Sequence, residues 1–398
     1  MSSELLAPAG TLEKLKWAVR YGADAVYFGA EFGSLRSFAG NFTFEDAKEG
    51  LEFLHANGKK GYVALNIYPF SHEYDEVINT AKRLDELGAD AFIISDPGVL
   101  ACLSTLKLNA RLHISTQANT TSYQAAMAYK QMGAGRVNLA RELSLEQIQA
   151  IGKELEGQIE TEVFIHGSVC FSYSGRCAIS DYLASHRANH GECKHPCRWN
   201  YALVEEKRPG EYLPVFEDEK GLYLFNSKEL ALFEFVPALI EAGVASFKIE
   251  GRMKSIHYIA SVVSFYRQVL DGKVFSKDEG FELLNRVPNR GYSAGFMKGA
   301  VGPEDYEIHE AVSKSNSIFV GNVLERKAGD KCVLEVRNKV HAGETLEVLT
   351  PDGKLSQTAL AKPLVTEIGD EVDFANNSQF VLLENELPAY AILRRVGS

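Results

Sequence analysis

The chain has 398 residues, 45% hydrophobic and 24% charged, so it is long enough for more than one folded domain. Its formal net charge of −11 argues against broad, nonspecific affinity for nucleic acid, although it leaves room for a local basic site. The first residues lack the basic and apolar runs of a signal peptide, and no apolar segment has membrane-spanning length. We therefore expect a soluble, cytoplasmic protein that does not associate with membranes.

Short β-branched runs alternate with amphipathic stretches along the first two thirds of the chain, a pattern typical of repeated βα units with a parallel sheet. We predict eight strands, at residues 5–7, 25–28, 61–65, 91–94, 112–114, 136–139, 162–165 and 246–249. Several predicted helices end in a Gly-Ala pair directly before the next strand, which fits glycine at a helix C-cap. Eight units without a Gly-rich first turn favour a TIM (β/α)8 barrel over a doubly wound sheet.

The regular alternation stops after the seventh predicted strand and resumes at a helix predicted to begin near Glu229. The insertion between them, at about residues 168–228, carries four of the six cysteines. It also has strand-like runs at 201–204, 212–215 and 222–225. Because the insertion follows strand seven, we expect it on the C-terminal face of the barrel, where enzymes with this fold have their active sites.

The composition changes after a polar connection at residues 302–306. From residue 317 to residue 396 the pattern indicates only strands and turns, which predicts a small C-terminal β-barrel. The clearest predicted strands are residues 318–323, 332–336 and 346–349. We therefore predict two domains, a TIM-barrel catalytic domain at residues 1–300 and a small β-barrel at residues 315–398.

The four clustered cysteines, Cys170, Cys177, Cys193 and Cys197, have the spacing Cys-x6-Cys-x15-Cys-x3-Cys. Four thiolates in one loop suit either a cubane iron–sulfur cluster or structural zinc. Zinc ribbons usually present two short Cys-x2-Cys pairs, and the six residues after the first cysteine here are too many for one. The spacing therefore favours an iron–sulfur cluster, with zinc as the alternative. The chain has no Cys-x3-Cys-x2-Cys run of the radical S-adenosylmethionine type and no dinucleotide fingerprint.

The other two cysteines, Cys102 and Cys332, lie in a predicted apolar helix and a predicted strand. Six cysteines are too few for a disulfide scaffold in a chain of this length, and a reducing cytoplasm would keep them as thiols. We predict that these two are buried packing residues.

Residues at the C-terminal ends of barrel strands can reach a substrate. By this rule the following residues face the site: Asn66, Asp96, Thr116, Gln117, Arg141, Glu142, His166, Lys248, Glu250 and Arg252. Lys248, Glu250 and Arg252 alternate on one strand end and could bind a carboxylate or phosphate, or form a structural ion pair at the rim. Arg141 is either a carboxylate clamp or a surface arginine. His166 is either a general acid–base or a residue hydrogen-bonded beside the cluster.

The residues between the later cysteines are basic in an otherwise acidic protein. Arg187, Lys194 and Arg198, with the adjacent Trp199, suit contacts with RNA phosphates and a splayed base. A solvated loop with incidental charge is the alternative. The pattern is thus a candidate RNA-binding site.

Residues 162–180 resemble the signature of the collagenase-like family of peptidases of unassigned mechanism. The matching positions are Glu162, Phe164, Gly167, Ser168, Cys170, Gly175, Cys177 and Ser180. Two further blocks, residues 193–199 and 248–252, are similar to the same family, and the resemblance continues into the C-terminal segment. Residues 198–201, 205–212 and 224–228 resemble one branch in particular, the tRNA 5-hydroxyuridine synthesis proteins.

This resemblance implies a [4Fe–4S] cluster and oxygen-independent hydroxylation of the wobble uridine of tRNA, with prephenate or a similar small carboxylate as a required metabolite. It also leaves open a partner protein of the same family. A peptidase is the main alternative, and Ser168 near His166 or the Cys170 thiol could serve as its nucleophile. Binding all four cysteines to one metal site would remove the best nucleophiles, so we favour the hydroxylase. The third alternative is a cluster-bearing binding subunit that works only with a partner chain.

Overall fold

The computed structural model describes most of the chain. The described residues are 3–34, 41–170, 172–177, 179–184, 189, 193–194, 196, 203–204, 212–213, 216–218, 221–223, 227–301, 305 and 313–397. Contacts group the chain into two compact units. The first unit comprises Met1–Val19, Ala23–Met253 and Arg290–Ser313, and the second comprises Arg20–Gly22, Lys254–Asn289 and Lys314–Ser398. Independent folding of residues 1–300 and 315–398 stays a prediction.

The first unit contains a closed barrel of eight parallel strands. In chain order they are Glu4–Pro8, Ala25–Gly29, Lys60–Leu65, Ala91–Ile94, Arg111–Ile114, Arg136–Asn138, Glu160–Ser168 and Ser246–Ile249. Each strand pairs with the next, and the eighth pairs with both the seventh and the first, which closes the barrel. The predicted TIM (β/α)8 fold and all eight predicted strands are confirmed.

Helices follow the barrel strands and mostly begin at residues suited to capping. In the first unit they are Leu12–Arg20, Phe44–Ala56, Tyr74–Glu86, Pro97–Ser104, Tyr123–Gln131, Leu145–Leu155, Ile179–Ala184 and Val236–Glu241, with short 3-10 helices at Ser71–Glu73, Thr116–Ala118, Tyr173–Gly175, Phe233–Phe235 and Gly295–Lys298. Thr43 and Ser144 each form a capping box with the third helical residue. Gly88 and Gly133, from the predicted Gly-Ala pairs, have φ of +93° and +100°. No helix among the described residues is sufficiently long and apolar to cross a bilayer.

The prediction that a helix begins near Glu229 is wrong. Glu229–Ala231 is a strand that pairs antiparallel with the end of the seventh barrel strand, and the helix begins only at Val236. The same strand pairs on its other side with Tyr292–Ser293. Glutamate, leucine and alanine favour helix locally, but the free edge beside strand seven overrides that preference. The insertion therefore leaves the barrel and returns next to the point where it left.

The insertion forms short antiparallel strand pairs where it is described. Leu203–Val204 pairs with Tyr212–Leu213, and Phe216–Asp218 pairs with Gly221–Tyr223. Three of these strands overlap the three predicted strand-like runs, and Phe216–Asp218 was not predicted.

The interior of the barrel near the strand N-termini is charged. Nη1 of Arg136 lies 2.6 Å from Oε1 of Glu4 and 3.4 Å from Oε2 of Glu162. Nζ of Lys248 lies 3.0 Å from Oε1 of Glu162, and it lies 4.4 Å from the centre of the Tyr27 ring. Burial alone would lower the pKa of Arg136, but the Glu162 and Glu4 carboxylates outweigh it and raise the pKa. We call these four charged residues, Glu4, Arg136, Glu162 and Lys248, the inner ion cluster.

His113 lies beside the inner ion cluster. It is buried, and its ring packs edge-on against Tyr62 at 4.9 Å. Neither ring nitrogen has a hydrogen-bond partner among the residues that the structure describes. Burial lowers the pKa of His113 well below its ordinary value, and the nearby Arg136 lowers it further. His113 is therefore neutral in the folded protein at neutral pH.

The second unit is built on an antiparallel sheet in the C-terminal segment, where the sequence predicts a small β-barrel; the strands and turns are confirmed, but the pairings among the described strands do not close the sheet into a barrel. From one edge to the other its strands are Leu355–Ala359, Thr345–Leu349, Ile392–Val396, Ser317–Ala328, Lys331–Val336, Phe380–Leu383, Leu364–Thr366 and Glu371–Val372. A separate two-stranded pair joins Val340–His341 to Phe374–Ala375, and the helices of this unit are Ile256–Leu270 and Lys277–Leu284. Cys332 is buried in the core of the sheet, which confirms its packing role, whereas Cys102 in the barrel unit is only half-buried.

Candidate functional site

The cysteine-bearing segment begins where the seventh barrel strand ends. That strand stops at Ser168, two residues before Cys170, so the segment starts at the C-terminal mouth of the barrel. Cys170 is exposed, while Cys177 and Cys193 are half-buried, and none of the three forms a disulfide with another described cysteine. Cys197 lies outside the described residues. Cys170 therefore lies next to the face of the barrel where TIM-barrel enzymes react.

Two consecutive residues after the sixth strand hold this segment. Nη1 of Arg141 donates to the Ser168 carbonyl at 3.1 Å. The Glu142 carboxylate accepts from the Ser174 hydroxyl at 2.7 Å and also from the Ser174 backbone N–H. Ser174 is buried and has φ of +46°, in the left-handed region that costs a non-glycine residue about 1 kcal/mol. Two charge-assisted hydrogen bonds to one carboxylate offset that cost.

Arg176, the residue before Cys177, attaches the segment to two more barrel loops. Its Nε donates to the Gln117 carbonyl at 2.9 Å, and its Nη2 donates to the Tyr68 hydroxyl at 2.7 Å. The Tyr68 hydroxyl in turn donates to the same Gln117 carbonyl at 2.6 Å. Burial raises the pKa of Tyr68, and the hydrogen bond with Arg176 opposes the rise. Loops after the third, fifth and sixth strands therefore all bind the segment that carries Cys170 and Cys177.

The segments around Cys177 and Cys193 lie next to each other. The backbone N–H of Lys194 donates to the hydroxyl of Ser180 at 3.1 Å, and Ser180 is fully buried. Nδ2 of Asn189 donates to the Cys177 carbonyl at 3.4 Å. These contacts bring together two cysteine segments that are separated by fifteen residues in the sequence.

The donor set fits the group that the sequence predicts. The backbone N–H of Ile179 donates to Sγ of Cys177 at 3.3 Å, and such N–H···S contacts orient thiolate ligands and tune iron–sulfur clusters. Within the described ranges, no three His, Cys, Asp or Glu side chains are grouped closely enough to hold a metal ion. Those ranges include Cys170, Cys177 and Cys193, whose thiols are therefore not gathered around one point in this structure, and they do not include Cys197. By its chemistry, a set of four thiolates suits a [4Fe–4S] cluster or, alternatively, zinc.

Three of the predicted catalytic residues lie at the mouth. Nη2 of Arg141 is 3.7 Å from Oε2 of Glu250, which belongs to the loop after the eighth strand. Nη1 of Arg252 donates to the Ser34 hydroxyl at 2.8 Å. A Cβ at Gly29 would lie 2.3 Å from this Arg252 nitrogen, so only glycine allows the guanidinium to approach the second strand. Arg141, Glu250 and Arg252 thus form a charged rim around the strand ends.

The other two predicted catalytic residues are enclosed. The His166 side chain is 1% exposed, and its ring centre is 5.4 Å from that of Tyr292. The pairing of strands seven and eight shifts register between Phe164 and His166, and such an irregularity re-aims the side chains that follow. Lys248 belongs to the inner ion cluster. Glu250 and Arg252 of the rim are also buried, so the partners of Lys248 rather than its burial distinguish it from them.

Asp96, which the sequence rule places at the site, is engaged at the start of a helix. It is the N-cap of helix Pro97–Ser104 and accepts from the Val99 backbone N–H at 2.8 Å. It also accepts from the Tyr74 hydroxyl at 2.7 Å, and burial together with this contact raises the pKa of Tyr74 to about 12. A carboxylate directly before a helix satisfies orphan N–H groups, which here outweighs its position at a strand end.

Sequence reasoning missed several residues that organise the mouth. Tyr68, Ser174 and Arg176 were not predicted, and neither was Arg290, whose Nη2 donates to the Ser168 hydroxyl at 3.4 Å. Arg176 could have been found from its position beside Cys177, but the others carry no local signal because their partners are distant in sequence. Nδ2 of Asn66, a predicted rim residue, donates to the Gln117 side chain.

The predicted RNA-binding residues lie mostly outside the described part of the chain. Arg187, Arg198 and Trp199 are not described. Lys194 is described, and its side chain is exposed to solvent. Its backbone is anchored next to the Cys177 segment, so its ammonium group lies on the same loop as the predicted cluster ligands.

Comparison with known proteins gives two family matches and several close relatives. The sequence profile described as Peptidase family U32 matches residues 10–307, and Peptidase family U32 C-terminal domain matches residues 315–394. tRNA hydroxylation protein P of Escherichia coli (strain K12) is 36% identical over 400 aligned positions, covering 89% of this chain and 88% of that protein. tRNA hydroxylation protein P1 of Bacillus subtilis (strain 168) is 37% identical, covering 94% and 89%. The 23S rRNA 5-hydroxycytidine C2501 synthase of E. coli is 37% identical, covering 97% of this chain and 57% of that protein.

Proposed function

The chain belongs to peptidase family U32, as the resemblance predicted, and we propose that it is an RNA-modifying enzyme of that family. We infer that it hydroxylates the wobble uridine of tRNA to 5-hydroxyuridine without molecular oxygen. In this proposal a [4Fe–4S] cluster is held by Cys170, Cys177, Cys193 and Cys197, and prephenate or a similar small carboxylate is required.

The observation that carries the proposal is the attachment of the cysteine segment to three loops at the barrel mouth. Arg141, Glu142 and Arg176 form these attachments. A segment held in this way keeps its thiols at the face where TIM-barrel enzymes bind substrates. The names of relatives with 36% and 37% identity over most of the chain support RNA hydroxylation as the reaction.

Each part of the mouth has a role in this proposal. When bound, the cluster supplies electron transfer beside the substrate. Arg141 and Arg252 provide guanidinium groups for the small carboxylate, since a planar guanidinium binds carboxylates with two parallel hydrogen bonds. Lys194, with Arg187 and Arg198 on the same segment, contacts tRNA phosphates, and Trp199 stacks on a splayed base.

A peptidase is the second candidate, because the family name describes one. Ser168 and the Cys170 thiol are its candidate nucleophiles by sequence, but the Ser168 hydroxyl accepts a hydrogen bond from Arg290, and arginine does not act as a general base. The peptidase alternative therefore lacks a described base for its serine. A cluster-bearing subunit that needs a partner protein of the same family is the third.

Anaerobic purification followed by iron and sulfide analysis tests the cluster. We expect about four iron and four sulfide per chain, whereas zinc without sulfide would favour the alternative metal. Incubation with unmodified tRNA and prephenate, followed by nucleoside mass spectrometry, tests the reaction. Release of fragments from gelatin, with no change in the tRNA, would replace the hydroxylase with the peptidase.

A further inference from the structure

We propose that Arg141 and Glu142 are positioning residues that hold Cys170 and Cys177 in place before a cluster binds. The two residues are consecutive in the loop after the sixth strand, and they bind Ser168, two residues before Cys170, and Ser174, three residues before Cys177. This inference rests on the proposed cluster site. It adds a role for residues that are not themselves ligands.

Arg141 anchors the start of the segment. It donates to the carbonyl of Ser168, two residues before Cys170. The same guanidinium lies 3.7 Å from the Glu250 carboxylate, and its central carbon lies 3.9 Å from the centre of the Phe164 ring. Contacts with a carbonyl, a carboxylate and an aromatic ring restrict a planar guanidinium to one orientation. The backbone that leads into Cys170 therefore has a rigid support.

Glu142 anchors the end of the segment. Its carboxylate accepts hydrogen bonds from both the backbone N–H and the hydroxyl of Ser174, three residues before Cys177. Ser174 is in the left-handed conformation, which a serine adopts only when surrounding contacts enforce it. Glu142 supplies those contacts. The shape of the turn that leads into Cys177 therefore depends on this carboxylate.

The Glu142 contact is separate from the contacts that hold the barrel together. Among the residues that the structure describes, Ser174 is the hydrogen-bond partner of the Glu142 carboxylate. The next helix, Leu145–Leu155, has its own capping box at Ser144. Removing the Glu142 carboxylate should therefore release the cysteine turn and leave the barrel folded.

The experiment compares Glu142→Ala with the wild type and with a matched control, Glu146→Ala. Glu146 is an exposed glutamate in the first turn of the following helix. Hydrogen exchange of the metal-free protein measures the turn, and iron and sulfide uptake from ferrous iron and sulfide measures the site. For Glu142→Ala we expect exchange at Ser174 to be faster by about tenfold, and iron uptake to fall by at least about fivefold. For Glu146→Ala we expect no change in either.

A second pair of variants separates the hydrogen bonds from the backbone strain. Ser174→Gly keeps the backbone N–H and tolerates the left-handed conformation, so iron uptake should stay within about twofold of the wild type. Glu142→Gln keeps the side-chain size and one acceptor oxygen, so its uptake should be intermediate. If circular dichroism shows that Glu142→Ala does not fold, the test of the proposal is the iron uptake of Glu142→Gln. Wild-type uptake in Glu142→Gln would then overturn the proposal.

Other results would also overturn it. Wild-type exchange in a folded Glu142→Ala protein would show that the carboxylate does not hold the turn. Faster exchange with unchanged iron uptake would show that holding the turn does not position the thiols. A wild-type protein that takes up no iron would end both the cluster proposal and this one, and that failure is visible without any variant.

Discussion

Two groups of charged side chains lie within the same barrel and differ in their partners. In the inner ion cluster, Arg136 and Lys248 both bind Glu162, so strand residues satisfy one another across the interior. At the mouth, Arg141 and Glu142 bind backbone and hydroxyl groups of the cysteine segment. The inner group therefore joins barrel strands to one another, whereas the outer group joins the barrel to the segment that carries the cysteines.

The partner of Lys248 assigns it to the inner ion cluster rather than to the residues that contact the cysteine segment. Lys248 and Arg252 are only four residues apart, but Lys248 contacts Glu162 inside, while Arg252 reaches Ser34 beyond the second strand. Lys248 lies within the eighth strand and forms a buried ion pair, whereas Arg252 lies three residues beyond the end of that strand. Variants of the inner ion cluster should accordingly lower the free energy of unfolding, whereas variants at the mouth should change the binding of iron or substrate.

The sharpest test of this separation is loss of a predicted ligand. Cys193→Ser should abolish iron and sulfide binding completely, because three thiolates cannot close the site. Its melting temperature in the metal-free state should match that of the metal-free wild type. Cys102→Ser, in a helix of the barrel, should keep full iron content. Loss of iron from Cys102→Ser together with retention in Cys193→Ser would refute the ligand assignment.

The next largest effect is expected inside the barrel. Lys248→Met removes one partner of the buried Glu162 carboxylate, so it should lower the free energy of unfolding by about 3 kcal/mol. Arg252→Lys keeps a cation at the mouth, and we expect a loss below about 1.5 kcal/mol, with weaker carboxylate binding because lysine lacks the planar fork. Urea unfolding measures both variants. A Lys248→Met protein as stable as the wild type would contradict a structural role for Lys248 in the inner ion cluster.

The pH dependence of stability sharpens the comparison further. His113 has a lowered pKa in the folded protein, so the unfolded state binds more protons once the pH falls below about 6.5. Its contribution to stability is therefore complete above pH 6.5 and is lost as the pH falls. Between pH 6.5 and pH 5.0 the wild type should lose up to about 1.6 kcal/mol more than His113→Phe. Equal losses in urea titrations at the two pH values would contradict a neutral, buried His113.

The smallest expected effect concerns RNA. Lys194→Glu or Arg187→Glu should weaken tRNA binding and reduce the slope of affinity against salt by about one, since each removes roughly one phosphate contact. Iron content should not change, because neither residue is a predicted ligand. Binding measured over a salt series, with iron assayed on the same samples, checks both expectations. Unchanged affinity and slope in both variants would remove this loop from the RNA site.

The barrel strands were predictable because their signal is local. Residues 91–94 and 246–249 were predicted with their observed bounds, since each is a short run that follows a glycine-ended helix. The strand at Glu229–Ala231 was not predictable, because its conformation depends on the edge of strand seven, about sixty residues earlier in the chain. Local propensity carries no information about such pairing.

The site was predictable only in part, for a similar reason. The thiols of Cys170 and Cys177 are visible in the sequence, but the residues that hold them are not, since Arg141 and Glu142 lie 27 and 32 residues before their partners. Strand position also suggested that Lys248 reaches the mouth. Its pairing with Glu162 could be seen only once both strands had a register.

The pairing of Ser168 with Glu229 has a consequence for how this region can change in evolution. It brings the two ends of the intervening excursion together, so the excursion closes a loop whose base is already part of the sheet. For a flexible loop, doubling the length adds only about 0.6 kcal/mol of closure entropy. Residues can therefore be gained or lost between the cysteine segment and Glu229 at little thermodynamic cost, and substrate-contacting surface can diversify on a barrel that stays the same.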